Sequence, residues 1–94
     1  MLISDILLHG QENAQPMRHL VNVTGENPRS IRKMIEAERR NGVLILSDNS
    51  RGYFLADNPA EVQQFLRSMR SRSKEILKTA LAVEQAAGLG KIVS

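Results

Sequence analysis

The chain has no cysteine. That absence excludes disulfide scaffolds, thiolate zinc sites and cysteine nucleophiles, and it allows a reducing compartment without demanding one. No run approaches the roughly 18 apolar residues that a membrane span requires. The opening "MLISDILLHG" is apolar but short, lacks a positively charged n-region and carries Asp5 within it. It is expected to form a first helix and not a signal peptide. Internal repeats and low-complexity segments are also missing. These absences lead to the expectation of a soluble, cytoplasmic protein with no membrane contact.

The parts of an enzyme are equally scarce. His9 and His19 fall in separate expected helices, with no carboxylate or second ligand at metal spacing, so no metal site is expected. Glu36 and Glu38 are two residues apart, which puts them on different faces of a helix. Glu36 has Arg32, Lys33 and Arg40 as its expected ion-pair neighbours. The serines have no base beside them. Gly88-Leu89-Gly90-Lys91 lacks the preceding strand, the spacing and the hydroxyl residue of a phosphate loop. No catalytic residue, cofactor or small-molecule ligand is expected.

What is present is charge in one place. Ninety-four residues with 41% apolar content suffice for one small domain. Residues 1–26 sum to −2, residues 27–52 to +3 and residues 53–94 to +2. The basic excess therefore begins at "NPRSIRKMIEAERRNGVLILSDNSRGYFLA", which holds Arg29, Arg32, Lys33, Arg39, Arg40 and Arg51.

Leu2, Ile3, Ile6 and Leu7 make an i, i+3/i+4 stripe, with Gly10 suited to end a short first helix. "NAQP" reads as a turn, and Pro16 suits the first turn of a second helix that directs Met17, Leu20 and Val21 inward. Thr24-Gly25-Glu26 is the next turn. Asn27-Pro28 then opens a third helix, because Asn is a strong N-cap and Pro is pre-set for the first helical position. Gly42 stops it. At 100° per residue, Ile31, Met34 and Ile35 share one face, while Arg29, Lys33, Glu36 and Arg40 share the opposite one, with Arg32 flanking. The plain reading of such a face is a solvated helix exterior.

"VLILS" and "YFLA" flank "DNSRG", which predicts a β-hairpin. Val43 and Ile45 point one way, Leu44 and Leu46 the other, and Tyr53 and Leu55 oppose Phe54. Both faces are apolar, so the second face needs a cover. The last helix is the candidate. Asp57-Asn58-Pro59-Ala60-Glu61 repeats the Asn-Pro start with Glu at N3, as in a capping box, and no helix breaker follows until Gly88. Val62, Leu66, Met69, Ser73, Ile76, Ala80, Val83 and Ala87 follow 4-3 spacing as a heptad seam, widened by Phe65 and Leu77. The Val62–Met69 end should cover the hairpin. The far end should pair with a second copy through Ser73, Ile76, Ala80, Val83 and Ala87. Residues 89–94 are expected to form a flexible tail.

With those residues in hand, "VTGENPRSIRKMIEAERRNGVLILSD…GYFLA" resembles the winged helix-turn-helix class found in bacterial repressors and small phage or prophage DNA-binding proteins. The resemblance covers about residues 1–56; the longer similarity, including "GYFLADNPAEVQQFLRSMRSRSKEI", suggests the phage-encoded group with a long C-terminal helix, here residues 57–88. It implies a mainly α fold with a small β-hairpin, and a double-stranded DNA partner. Pro28-Arg29 departs from the family's pattern, placing Pro where another residue could touch DNA.

A recognition helix must fit the roughly 12 Å major groove and present long donors from its N-terminal half. Arg29, Ser30, Arg32 and Lys33 are such donors, with Arg40 further along. Arg51 at the hairpin tip, beside Asn49 and Ser50, has the reach to enter a minor groove or grip a phosphate. Two functions stay open from the sequence. One is a dimeric, sequence-specific DNA-binding regulator or replication/recombination accessory factor. The other is a winged-helix module that binds a protein partner, such as a replisome or host-defence component.

Overall fold

A computed structural model describes residues 1–88; the expected tail at 89–94 lies outside the described residues. The protein is mainly helical with one two-stranded antiparallel sheet. Its helices are α1 (Met17–Thr24), α2 (Pro28–Arg40) and α3 (Pro59–Ala86), and its strands are β1 (Ile45–Asp48) and β2 (Gly52–Leu55). Among the described residues, no helix is long and apolar enough to cross a membrane.

The expected first helix is not there. Only Ile3–Asp5 forms a single 3-10 turn, and Gln11–Asn13 forms another. The apolar spacing still holds, since Ile3 and Leu7 are buried, but the backbone hydrogen bonds go elsewhere. The Ile3 and Ser4 N–H groups donate to the Glu38 carboxylate at 2.6 and 3.0 Å. Downstream, Leu55 N–H donates to the Leu8 carbonyl and Gly10 N–H to the Leu55 carbonyl. Gln15 and Tyr53 exchange both of their backbone bonds. Residues 8–15 thus lie along the outer edge of β2 as an interrupted edge segment, which a helix over the same residues could not do.

That close approach explains Gly52. Its φ is 118°, and a Cβ there would sit 2.1 Å from the Gln15 carbonyl oxygen. The position needs glycine both for its backbone and for space.

The expected second helix is α1, with Pro16 just before it, not within its first turn, and Gly25 closing it at φ 74°. Leu20 is fully buried, and Met17 and Val21 pack against the core. The core joins Ile3, Leu7, Leu20, Ile31, Ile35 and Ile45. Burying each such side chain stabilises the fold by about 1.5–3 kcal/mol.

β1 and β2 pair in the register Ile45 with Leu55, Leu46 with Phe54, Ser47 with Tyr53 and Asp48 with Gly52. Both apolar faces are used. Ile45 belongs to the main core, whereas Leu46 and Phe54 are buried on the opposite face. α3 packs on β1 with Val62, Phe65 and Leu66 half-buried. Leu44, expected on the covered face, lies before the strand and is exposed.

Asn58 caps α3 by accepting from Glu61 N–H at 3.0 Å. Glu61 does not close the expected box onto Asn58. Its two oxygens accept from the Asp57 and Gln11 N–H groups, both at 2.8 Å, tying the helix start to the N-terminal segment.

Candidate nucleic-acid interface

α2 is set by both of its ends. Asn27 Oδ1 accepts from Ser30 N–H at 2.9 Å, satisfying one of the donors that a helix start leaves free. At the other end the chain leaves through Asn41 and a left-handed Gly42. Ile31, Ile35 and Glu38 are the buried side, which turns the opposite side outward. Arg29, Arg32, Lys33, Glu36, Ala37 and Arg40 line one shallow, solvent-open surface there.

Among the described residues, Arg29, Arg32, Lys33 and Arg40 on that surface have no anionic partner. Among the described residues the ion pairs are Arg39 with Glu36 and Lys78 with Glu75, each at 3.5 Å. Glu36 therefore pairs with Arg39, not with the expected Arg32, Lys33 or Arg40. Ser30 is half-buried, and its backbone serves the cap.

Arg39 and Glu38, both inside the basic stretch, have structural work. Arg39 Nε donates to the Ile45 carbonyl at 2.8 Å, and its guanidinium lies 5.1 Å from the centre of the Phe65 ring. One side chain thus joins α2, β1 and α3, by a hydrogen bond and a cation–π contact. Glu38 is 5% exposed, and its charge is met by the two N–H donors of the N-terminal turn. Helix spacing puts Glu38, three residues after Ile35 and seven after Ile31, on the apolar face, but nothing local names its partners or those of Arg39.

The hairpin tip is a built turn. Asp48 Oδ1 accepts from the Ser50 N–H at 2.9 Å and from the Ser50 hydroxyl at 2.8 Å, and the other oxygen accepts from Gln11. The Ser50 backbone bond, then those from the Gln11 and Ser50 side chains, lower the Asp48 pKa to about 2. Asn49 Oδ1 accepts from the Arg72 guanidinium of α3 at 3.3 Å. Of the three expected tip contacts, Ser50 and Asn49 are thus engaged within the fold. Arg51 is exposed and has no ion pair among the described residues.

Arg72 is an unforeseen member of the tip. Its place in "RSMRSRSK" is plainly basic, but nothing local says which turn of α3 reaches the hairpin.

His9 is exposed, with Nδ1 3.1 Å from the Ala56 carbonyl, and His19 is exposed. Among the described residues, no group of three His, Cys, Asp or Glu could hold a metal ion. A cleft of about 190 Å³ between the hairpin and α3 is lined by Gln11, Asp48, Asn49, Phe54, Phe65 and Arg72. The hydrogen bonds above already engage its Gln11, Asp48, Asn49 and Arg72 side chains.

The expected pairing residues Ser73, Ile76, Ala80 and Val83 are exposed on the part of α3 that extends past the hairpin, and Ala87, the residue that caps its end, is exposed as well. Comparison with protein-family models, curated proteins and solved structures finds no match.

Proposed function

We propose that the protein binds double-stranded DNA in a sequence-specific manner, as a dimeric regulator or replication/recombination accessory factor of bacterial or phage type, working in the cytoplasm. In this reading α1, the Gly25 turn and α2 act as a helix-turn-helix, and the β1–β2 hairpin as its wing. The edge segment 8–15 braces the wing against the helices.

The observation that carries the reading is the outward face of α2. Among the described residues, Arg29, Arg32, Lys33 and Arg40 stand free of anionic partners on a helix whose opposite side is locked into the core. Cations left unpaired in this way are suited to displacing counterions from a phosphate backbone. Arginine can also make two parallel hydrogen bonds to a guanine edge.

Selection of bound fragments from random DNA, followed by titration in salt, tests the reading. A defined motif should emerge, with affinity falling by roughly 0.9 log unit per log unit of salt for each phosphate contact. Arg29→Ala or Arg32→Ala should cost about 1–3 kcal/mol and relax one base preference where that residue reads a base. Lys33→Ala should weaken all sequences alike and reduce the salt slope by about one contact. A folded triple variant that binds like the parent would remove α2 from the interface. Weak retention without any motif would instead favour a module that binds protein.

A further inference from the structure

Beyond the hairpin, α3 carries two asymmetries, one of size and one of charge. Along its seam, Ser73, Ala80 and Ala87 occupy one core position of the heptad, and Met69, Ile76 and Val83 occupy the other. The seam is bare: Ile76 is 65% exposed and Val83 62%, and Leu77 beside it is 62% exposed. Residues 67–78 hold Arg67, Arg70, Arg72, Lys74 and Lys78 against the single acid Glu75, whereas residues 79–88 hold only Glu84.

We propose that the occupant of this face is a second copy of the same helix, running antiparallel, with the two-fold axis crossing the seam at the level of Lys78. The inference rests on the dimeric reading above and adds its direction and register. In a parallel, in-register pair each core layer holds two copies of one residue. Layers of paired alanine or serine would then alternate with layers of paired large aliphatics. The large layers hold the helices apart and leave the small ones poorly filled. The antiparallel register removes the conflict. It sets Met69 opposite the partner's Ala87, Ser73 opposite the partner's Val83, and Ile76 opposite the partner's Ala80, each pairing occurring twice. Every small residue meets a large one.

Charge favours the same register. A parallel pair would align the two cation-rich segments side by side. The antiparallel pair places each against the partner's distal segment, and Arg70 falls beside the partner's Glu84 on the flank. On that flank Leu77 meets the partner's Leu77 across the axis, which gives cover to an aliphatic residue that a simple two-position seam leaves in water. The overlap from Met69 to Ala87 is about 27 Å at 1.5 Å rise per residue. It starts where the hairpin's cover stops, since Met69 is 41% exposed while Val62, Phe65 and Leu66 are half-buried.

Because the chain has no cysteine, single thiols report the geometry directly. Ser73→Cys and Val83→Cys are expressed separately and together in the full chain, then oxidised mildly. The antiparallel register predicts a cross-linked dimer only from the co-expressed pair. Identical positions would lie roughly 15 Å apart along the axis, too far for a disulfide. Arg70→Glu should weaken dimerisation by roughly fivefold, and Arg70→Glu combined with Glu84→Arg should restore it. Cross-linking of Ser73→Cys alone would establish a parallel pair and overturn the register, leaving the dimer and its DNA binding intact. A dimer by sedimentation equilibrium that cross-links in none of the three samples would overturn it too. A monomer would overturn both the register and the dimer, and the salt titration would still judge DNA binding by itself.

Discussion

At the residue scale, the least expected finding is how an acid within the basic helix is used. Glu38 is buried and accepts from two backbone N–H groups some 35 positions away in sequence. Removing it strands both donors. Glu38→Ala should therefore destabilise the fold by about 2–4 kcal/mol, read as a lower denaturant midpoint. Glu38→Gln keeps one acceptor and should cost less. Equal, small losses from both substitutions would mean that water replaces the carboxylate without penalty. Asp48 gives a pH signature instead. Its folded pKa of about 2 lies below the ordinary value of 3.8, so the ionised form is favoured by folding. The stabilisation is present above about pH 4 and is lost as pH falls through about 2. Hairpin-tip amide signals in NMR should thus shift together over that window in the parent, and Asp48→Asn should abolish the transition. An unchanged acid titration in that variant would assign the transition to another carboxylate.

At the element scale, α2, the hairpin and α3 are legible in the sequence because their start and stop signals are local. Asn27-Pro28 and Asn58-Pro59 cap as residue type predicts, and Gly25 and Gly42 turn as glycine allows. The two-faced hairpin even announces the need for α3. The first helix is misread for a related reason. An i, i+3/i+4 apolar stripe reports which side chains go inward, and Ile3 and Leu7 do. It does not report where the backbone bonds go. Those bonds are settled by Glu38 and by the open edge of β2, both remote in sequence. The residues proposed to contact DNA divide along the same line. The free cations of α2 follow from helix periodicity, whereas Asn49 is drawn into a tertiary contact that periodicity cannot foresee, as is Arg39, which is not among the expected DNA contacts. This gives the hairpin tip a sharp expectation. Arg51→Ala should lower DNA affinity by about 0.5–1.5 kcal/mol while leaving thermal stability unchanged, because Arg51 is exposed and unpaired in the fold. Unchanged affinity and footprint would make the tip an ordinary turn.

At the scale of the whole molecule, the shape itself poses a problem. The protein measures 51 × 31 × 25 Å, and the long dimension follows from a 28-residue helix whose residues 67–86 are all exposed. Ile76, Leu77, Leu81 and Val83 stand in water within eight residues of one another, each 50% or more exposed. No Pro or Gly lies between Ala60 and Ala87 to fold this segment back onto the hairpin. Pairing with a second copy would bury Ile76, Leu77 and Val83 and link two α2 helices. The linked pair would suit half-sites about one turn of DNA, or a multiple of it, apart. Ile76→Asp tests the chain of reasoning at its centre, by forcing a carboxylate into the seam. The dimer dissociation constant should rise roughly 100-fold, equivalent to about 2.7 kcal/mol. Residues 1–56 should keep their fold, because the Val62–Leu66 end of α3 that covers Leu46 and Phe54 is untouched. Sedimentation equilibrium reads the first effect, and NMR of the hairpin amides reads the second. On DNA, the variant should lose the advantage of a two-half-site fragment and keep its affinity for a single half-site. If the parent is already a monomer at tens of micromolar, the exposed stripe has no partner in a second copy and the linkage between half-sites fails with it.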